Sequence, residues 1–155
     1  MIKRTLTIIT AALLILAVFT ACGSKKSVEL KPLMDTINST YGLTDLKTID
    51  DTDSLNRYYQ VEADSVKQFA AELPTSSKDF NEIILIEAAD ENAAAQIKTQ
   101  LDARLRSQLS NAKSYNAEQV SMIEACETKQ NGNYVYLVIG DKHDEINSTI
   151  ADALK

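Results

Sequence analysis

The chain has 155 residues, with 22 acidic side chains against 16 basic ones and a net charge of −6. That is the length of one ordinary domain with a real core, and its acidity argues against nucleic acid and against electrostatic docking on anionic lipid head groups. Four glycines in the whole chain leave no room for a Gly-rich phosphate loop.

The chain begins with a basic pair, Lys3 and Arg4, and then runs without charge from Thr5 to Ala21. Basic start, apolar centre and small residues before a cut site form the pattern of a secretory signal. Phe19-Thr20-Ala21 lead directly into Cys22, and this resembles a bacterial lipobox, whose cysteine receives a diacylglyceryl group. Phe19 stands where that motif usually has Leu. A retained transmembrane anchor and plain secretion compete with this reading; the uncharged run of 17 residues is at the short edge of a span. The expected organisation is a lipoprotein signal peptide over 1–21, a flexible tether over 22–28 and one α+β domain over 29–155. Residues 1–21 hold two basic and no acidic side chains, so the chain beyond them carries 14 basic against 22 acidic. With Cys22 lipidated, Cys126 has no disulfide partner and stability must come from the core alone.

In chain order, Leu30, Leu33, Met34 and Ile37 recur at helical spacing and Gly42 reads as a stop, which predicts a helix over 30–41. "DDTDSLNRYY" predicts a short capped helix near 52–58. "SVKQFAAELP" is ambiguous, and periodicity favours helix there. "TSSKD" (75–79) reads as a polar connection. "EIILIEA" (82–88) is a strand of consecutive bulky aliphatics. Asp90 should cap a long helix with Ile97, Leu101, Leu105 and Leu109 inward. Lys98, Asp102, Arg104 and Arg106 should face water, Asp102 pairing with Arg106. Asn116 is expected to cap a second, short helix carrying Val120 and Ile123.

"CETKQNGNYVYLVIG" reads as a hairpin turning on Asn131-Gly132 as a type I′ loop, which sets Gln130 against Asn133 and Cys126 against Leu137. Val135, Leu137 and Ile139 then share a buried face with Cys126, and Tyr134, Tyr136 and Val138 share the other. "HDEINSTIADAL" closes as a helix with Ile146, Ile150 and Ala153 inward. These elements predict an α+β fold: an antiparallel sheet of about four strands with helices packed on it, preceded by an N-terminal signal helix.

The Cys22 motif, "NEIILIEAAD" with its long helix, "SYNAEQ" (114–119) and "NGNYVYLVIGDKHDEI" (131–146) together resemble a family of small Gram-positive cell-envelope lipoproteins, domain of unknown function 4358. The resemblance covers most of 30–154. It implies a strand at 66–73, against the periodicity, and brings no activity to carry over.

Chemistry is sparse. Cys126 points into the aliphatic face and reads as a packing cysteine rather than a reactive thiol. His143, the only histidine, sits beside Asp141, Asp144 and Glu145, acids that also suit a helix N-terminus. "DDTD" (50–53) lacks the glycine turn and bidentate Glu that calcium uses, and reads as helix capping. No Gly-x-Ser-x-Gly is present. The tyrosines 58, 59, 134 and 136 suit either an interface or a covered core. No catalytic residue, metal site or cofactor is expected. The expected protein is a non-enzymatic lipoprotein on the extracytoplasmic face of a cell membrane. It would be held through a diacylglyceryl group on Cys22 and would bind an envelope protein or envelope component, not nucleic acid. A ligand-binding lipoprotein associated with a transporter is the alternative, and an enzyme built on His143 a third reading.

Overall fold

Leu30, Leu33, Met34 and Ile37 form the buried stripe of α1 (Leu30–Tyr41) in the computed structural model, which describes residues 27–155. The segment 1–21, Cys22 and the tether as far as residue 26 lie outside the described residues. Gly42 ends α1: at φ +66° its N–H turns back to the Asn38 carbonyl, a left-handed position that suits glycine. β1 (Leu46–Ile49) follows, then α2 (Thr52–Tyr59), whose first turn is capped by the Asp51 carboxylate accepting the Ser54 N–H at 2.7 Å. A 3-10 turn (Ala63–Ser65) leads into β2 (Val66–Pro74), and a polar turn joins it to β3 (Glu82–Ala88).

Asp90 caps α3 (Glu91–Tyr115), accepting the Ala93 N–H at 2.8 Å. A second 3-10 turn (Ala117–Gln119) and α4 (Val120–Ala125) return the chain to the hairpin of β4 (Thr128–Asn131) and β5 (Tyr134–Ile139), and α5 (His143–Ala153) closes it. The strands lie in the order β1-β2-β3-β5-β4, every neighbouring pair antiparallel. The α+β expectation holds, with five strands rather than about four. The strand missed by sequence is β1, an edge strand of four residues with only Ile49 buried, too short and too exposed to carry a period.

Helices cover both faces of this sheet. Ile84, Ile86, Val135 and Leu137 pack with Leu55, Tyr59, Ile97, Leu101 and Ile123 in one core. Ile83, Leu85, Tyr136 and Val138 pack with Leu33, Ile37, Ile146 and Ile150 in the other. Every residue of β3 is therefore buried, which explains its unbroken aliphatic run. The same geometry settles residues 66–73 as strand: Ala71 and Leu73 enter the first core and Ala70 the second, so alternation is erased and periodicity misleads. The tyrosine face of the hairpin is covered too, the covered-core alternative of the two, with Tyr136 only 5% exposed.

The hairpin register differs from expectation. Asn131 pairs with Tyr134, Gln130 with Val135 and Thr128 with Leu137, so the two loop residues are Gly132 and Asn133. Gly132 has φ +58° and Asn133 does not have positive φ, which is the sign pattern of a type II′ turn with Gly at its first position. Each residue of β5 thus faces a partner two places further along than the Asn-Gly loop predicts. Because the pleat repeats every two residues, that slip keeps every side chain on its expected face, and Cys126 still shares the core of Val135, Leu137 and Ile139.

Other local expectations are corrected by packing. Asp102 pairs with Lys98 at 3.0 Å rather than with Arg106. The Asn116 side chain caps nothing and donates instead to the Lys78 carbonyl at 3.0 Å. Ala153 is exposed, and Leu154 takes the inward position at the end of α5.

Candidate functional site: a polar groove beyond the end of the sheet

α3 has 25 residues and β3 has seven. At about 1.5 Å per helical residue and about 3.4 Å per strand residue, the helix is roughly 37 Å long against roughly 24 Å for the strand it covers. α3 starts at the Ala88 end of β3 and runs back along it, so its last turns project past the Glu82 end. A groove of about 600 Å³ opens between this overhang, the β2–β3 turn, the end of α2 and the edge strand β1. That volume is within the range of small-molecule sites.

The wall nearest the core is built on Glu82 and Arg104. Glu82 is the first residue of β3, on the face covered by α3, and is fully buried. Arg104 reaches it from α3 through Nη2 at 2.6 Å and Nε at 3.1 Å, and Gln108 Nε2 donates to the same carboxylate at 3.0 Å. The guanidinium also lies 5.5 Å from the centre of the Tyr59 ring, a cation–π distance. Burial, reinforced by the Glu82 charge, pushes the Tyr59 phenol well above its ordinary pKa, so it stays neutral. Sequence placed Arg104 in water among the other charges of α3. The structure instead makes it the one cation of that helix bonded to a fully buried carboxylate. The available signal was Glu82 itself, a charge at the mouth of an apolar strand that demands a partner.

The outer walls are polar and aromatic. Lys47 of β1 lies 5.9 Å from the ring centre of Tyr58. Ser76, Ser77 and Asn111 line the groove together with Tyr58 and Tyr115. Tyr115, at the tip of the overhang, is 88% exposed, the only large hydrophobic side chain so exposed among the described residues. A smaller cleft of about 260 Å³ opens nearby between the α1–β1 loop and the start of α5, where Lys142 Nζ donates to the Tyr41 carbonyl at 3.0 Å.

The residues singled out by sequence do not meet in this groove, apart from Tyr58. Cys126 is buried, its thiol donates to the Met122 carbonyl, and burial raises its pKa. His143 begins α5; its Nδ1 lies 3.0 Å from the Gly140 carbonyl and its Nε2 3.5 Å from Asp144. Asp51 is the cap of α2. Among the described residues no three His, Cys, Asp or Glu side chains gather as metal ligands.

At the opposite end of β3 the chain enters the fold. Ser27 Oγ donates to Glu87 at 2.9 Å, and the Val28 N–H donates to Tyr134 Oη at 3.0 Å. Gln68 then bridges three elements: its amide donates to Glu87 at 2.6 Å and to the Val28 carbonyl at 2.9 Å, and its Oε1 accepts the Leu30 N–H at 2.9 Å. Ser27 and Val28, placed in the tether by sequence, are thus bonded to the sheet. None of the described helices is long and apolar enough to cross a membrane.

A five-stranded antiparallel sheet between two helical layers, with a groove at one end, defines a small α+β protein. The chain belongs to the family described as Domain of unknown function (DUF4358), whose model matches residues 39–140. The groove residues all lie within that span, whereas most of α1 and α5 lie outside it. No curated protein and no solved structure matches the chain.

Proposed function

We propose that this protein is a non-enzymatic binding module of the cell envelope, anchored to the outer face of the membrane by a diacylglyceryl group on Cys22. The observation that carries the reading is the opposition of two sites: the chain enters the fold at the Glu87 end of β3, and the groove opens at its Glu82 end. From Cys22 to Ser27 is five residues, a reach of at most about 18 Å. An anchor at Cys22 would hold the entry point close to the bilayer and turn the groove outward. Two acyl chains would make the attachment stable where one would not. The buried thiol of Cys126 and the bonded imidazole of His143 support a binding role over a catalytic one.

Membrane fractionation of wild type and Cys22→Ala tests the anchor. Wild type should sit in the membrane fraction at mature mass, and the variant should appear as precursor or in the medium. A variant that stayed with membranes at mature mass would refute the anchor.

A further inference from the structure

We infer that the groove between α3 and the β2–β3 turn binds a neutral oligosaccharide, with a pyranose ring stacked on Tyr115. This deepens the envelope-binding reading and rests on it, since the groove faces outward only if Cys22 holds the other pole.

Three features of the groove carry the inference. The first is unspent hydrogen-bonding capacity. Among the described residues, the side chains of Ser77, Asn111, Lys47, Tyr58 and Tyr115 line the groove and make no hydrogen bond to protein. Hydroxyl and amide groups that both donate and accept suit sugar hydroxyls, which do the same. The second is the exposed ring of Tyr115. A tyrosine face carries the negative side of the ring quadrupole, and the C–H face of a pyranose offers it weakly positive hydrogens. Tyr115 is a rigid, amphipathic ring held out at the end of a long helix with nothing packed on it. The third is charge. The chain beyond the signal segment is strongly acidic, which repels an anionic polymer at long range. The groove is lined by one cation and one anion, Lys47 and Asp79, besides Arg104, which is already neutralised by Glu82. The walls are therefore close to neutral and fit an uncharged ligand. An apolar helix is a poor occupant, because the serine and asparagine walls would be desolvated without partners.

The test uses the full-length protein purified from membranes in detergent, titrated calorimetrically with the neutral tetrasaccharides chitotetraose, cellotetraose and maltotetraose. At least one should bind saturably. Tyr115→Ala should weaken it by about tenfold or more, and Tyr115→Phe by no more than about threefold. Tyr115 is exposed, so its variants should melt like wild type. Saturable binding by none of the three, or binding indifferent to Tyr115→Ala, would overturn the inference. A photo-crosslinking residue at position 115 on intact cells separates the two proposals. Capture of a defined protein there, with no saccharide binding, would sink the oligosaccharide and leave the envelope-binding reading standing. Loss of membrane retention is scored independently through Cys22→Ala.

Discussion

Arg104 closes two of its nitrogens on the carboxylate of Glu82, a side chain with no exposed surface at all, 22 residues earlier in the chain. The pair joins α3 to the central strand where the helix leaves the sheet, and so fixes the wall of the groove. Removing one partner of a buried pair leaves the other charge without compensation. Arg104→Ala is expected to cost about 3–5 kcal/mol in urea denaturation. The double variant Glu82→Leu with Arg104→Met should recover most of that, because a well-packed apolar pair does not carry the desolvation cost. A single variant as stable as wild type would show that the bond contributes nothing.

The hairpin offers a test of register. Gly132 holds φ +58° and Asn131 is the last residue of β4, paired with Tyr134. Gly132→Ala should destabilise by about 1 kcal/mol or more, since a Cβ strains a left-handed residue. Asn131→Ala should stay within about 0.5 kcal/mol, as for an ordinary exposed site. Were the loop Asn131-Gly132, both residues would need positive φ and both changes would be costly. Equilibrium unfolding of the two variants decides between these.

Acid should loosen the chain's entry point before the rest. Burial pushes the Glu87 carboxyl up, but hydrogen bonds from Gln68 and Ser27 and the nearby Lys67 ammonium outweigh it and hold the pKa below 4.5. A depressed carboxylate contributes stability that is fully present above its unfolded value and lost as pH falls through its folded value. Hydrogen exchange at the Val28 and Leu30 amides, read between pH 5 and pH 3, should therefore accelerate relative to the core as pH falls. Glu87→Gln should flatten that dependence. Equal acceleration of the Val28 and Leu30 amides and the core in wild type would contradict the assignment.

How far sequence reached can be seen in residues 66–73 and 128–137. β3, α1 and α3 were legible because each carries its own signal: a bounded aliphatic run, a helical stripe with a Gly stop, an Asp cap before a four-residue repeat. β2 was not, because a strand covered on both faces loses its alternation, and Phe69, Ala70 and Leu73 then match a helix by coincidence. In the hairpin the faces were legible and the partners were not. Asn-Gly and Gly-Asn turns differ in pairing by two residues, a difference that leaves every side chain on its own side.

The groove was illegible for another reason. Its residues come from β1, α2, the β2–β3 turn and the end of α3, separated by up to 68 positions between Lys47 and Tyr115. Sequence by itself determined the elements whose causes are local: caps, stops, aliphatic strands, and the apolar N-terminal run ending in Cys22. Tertiary structure alone decided that the sheet is covered on both faces, that Arg104 turns inward to Glu82, and that α3 overshoots the sheet to raise the wall of the groove. Those outcomes follow from which faces meet and how long neighbouring elements are, and no residue's own preference encodes either.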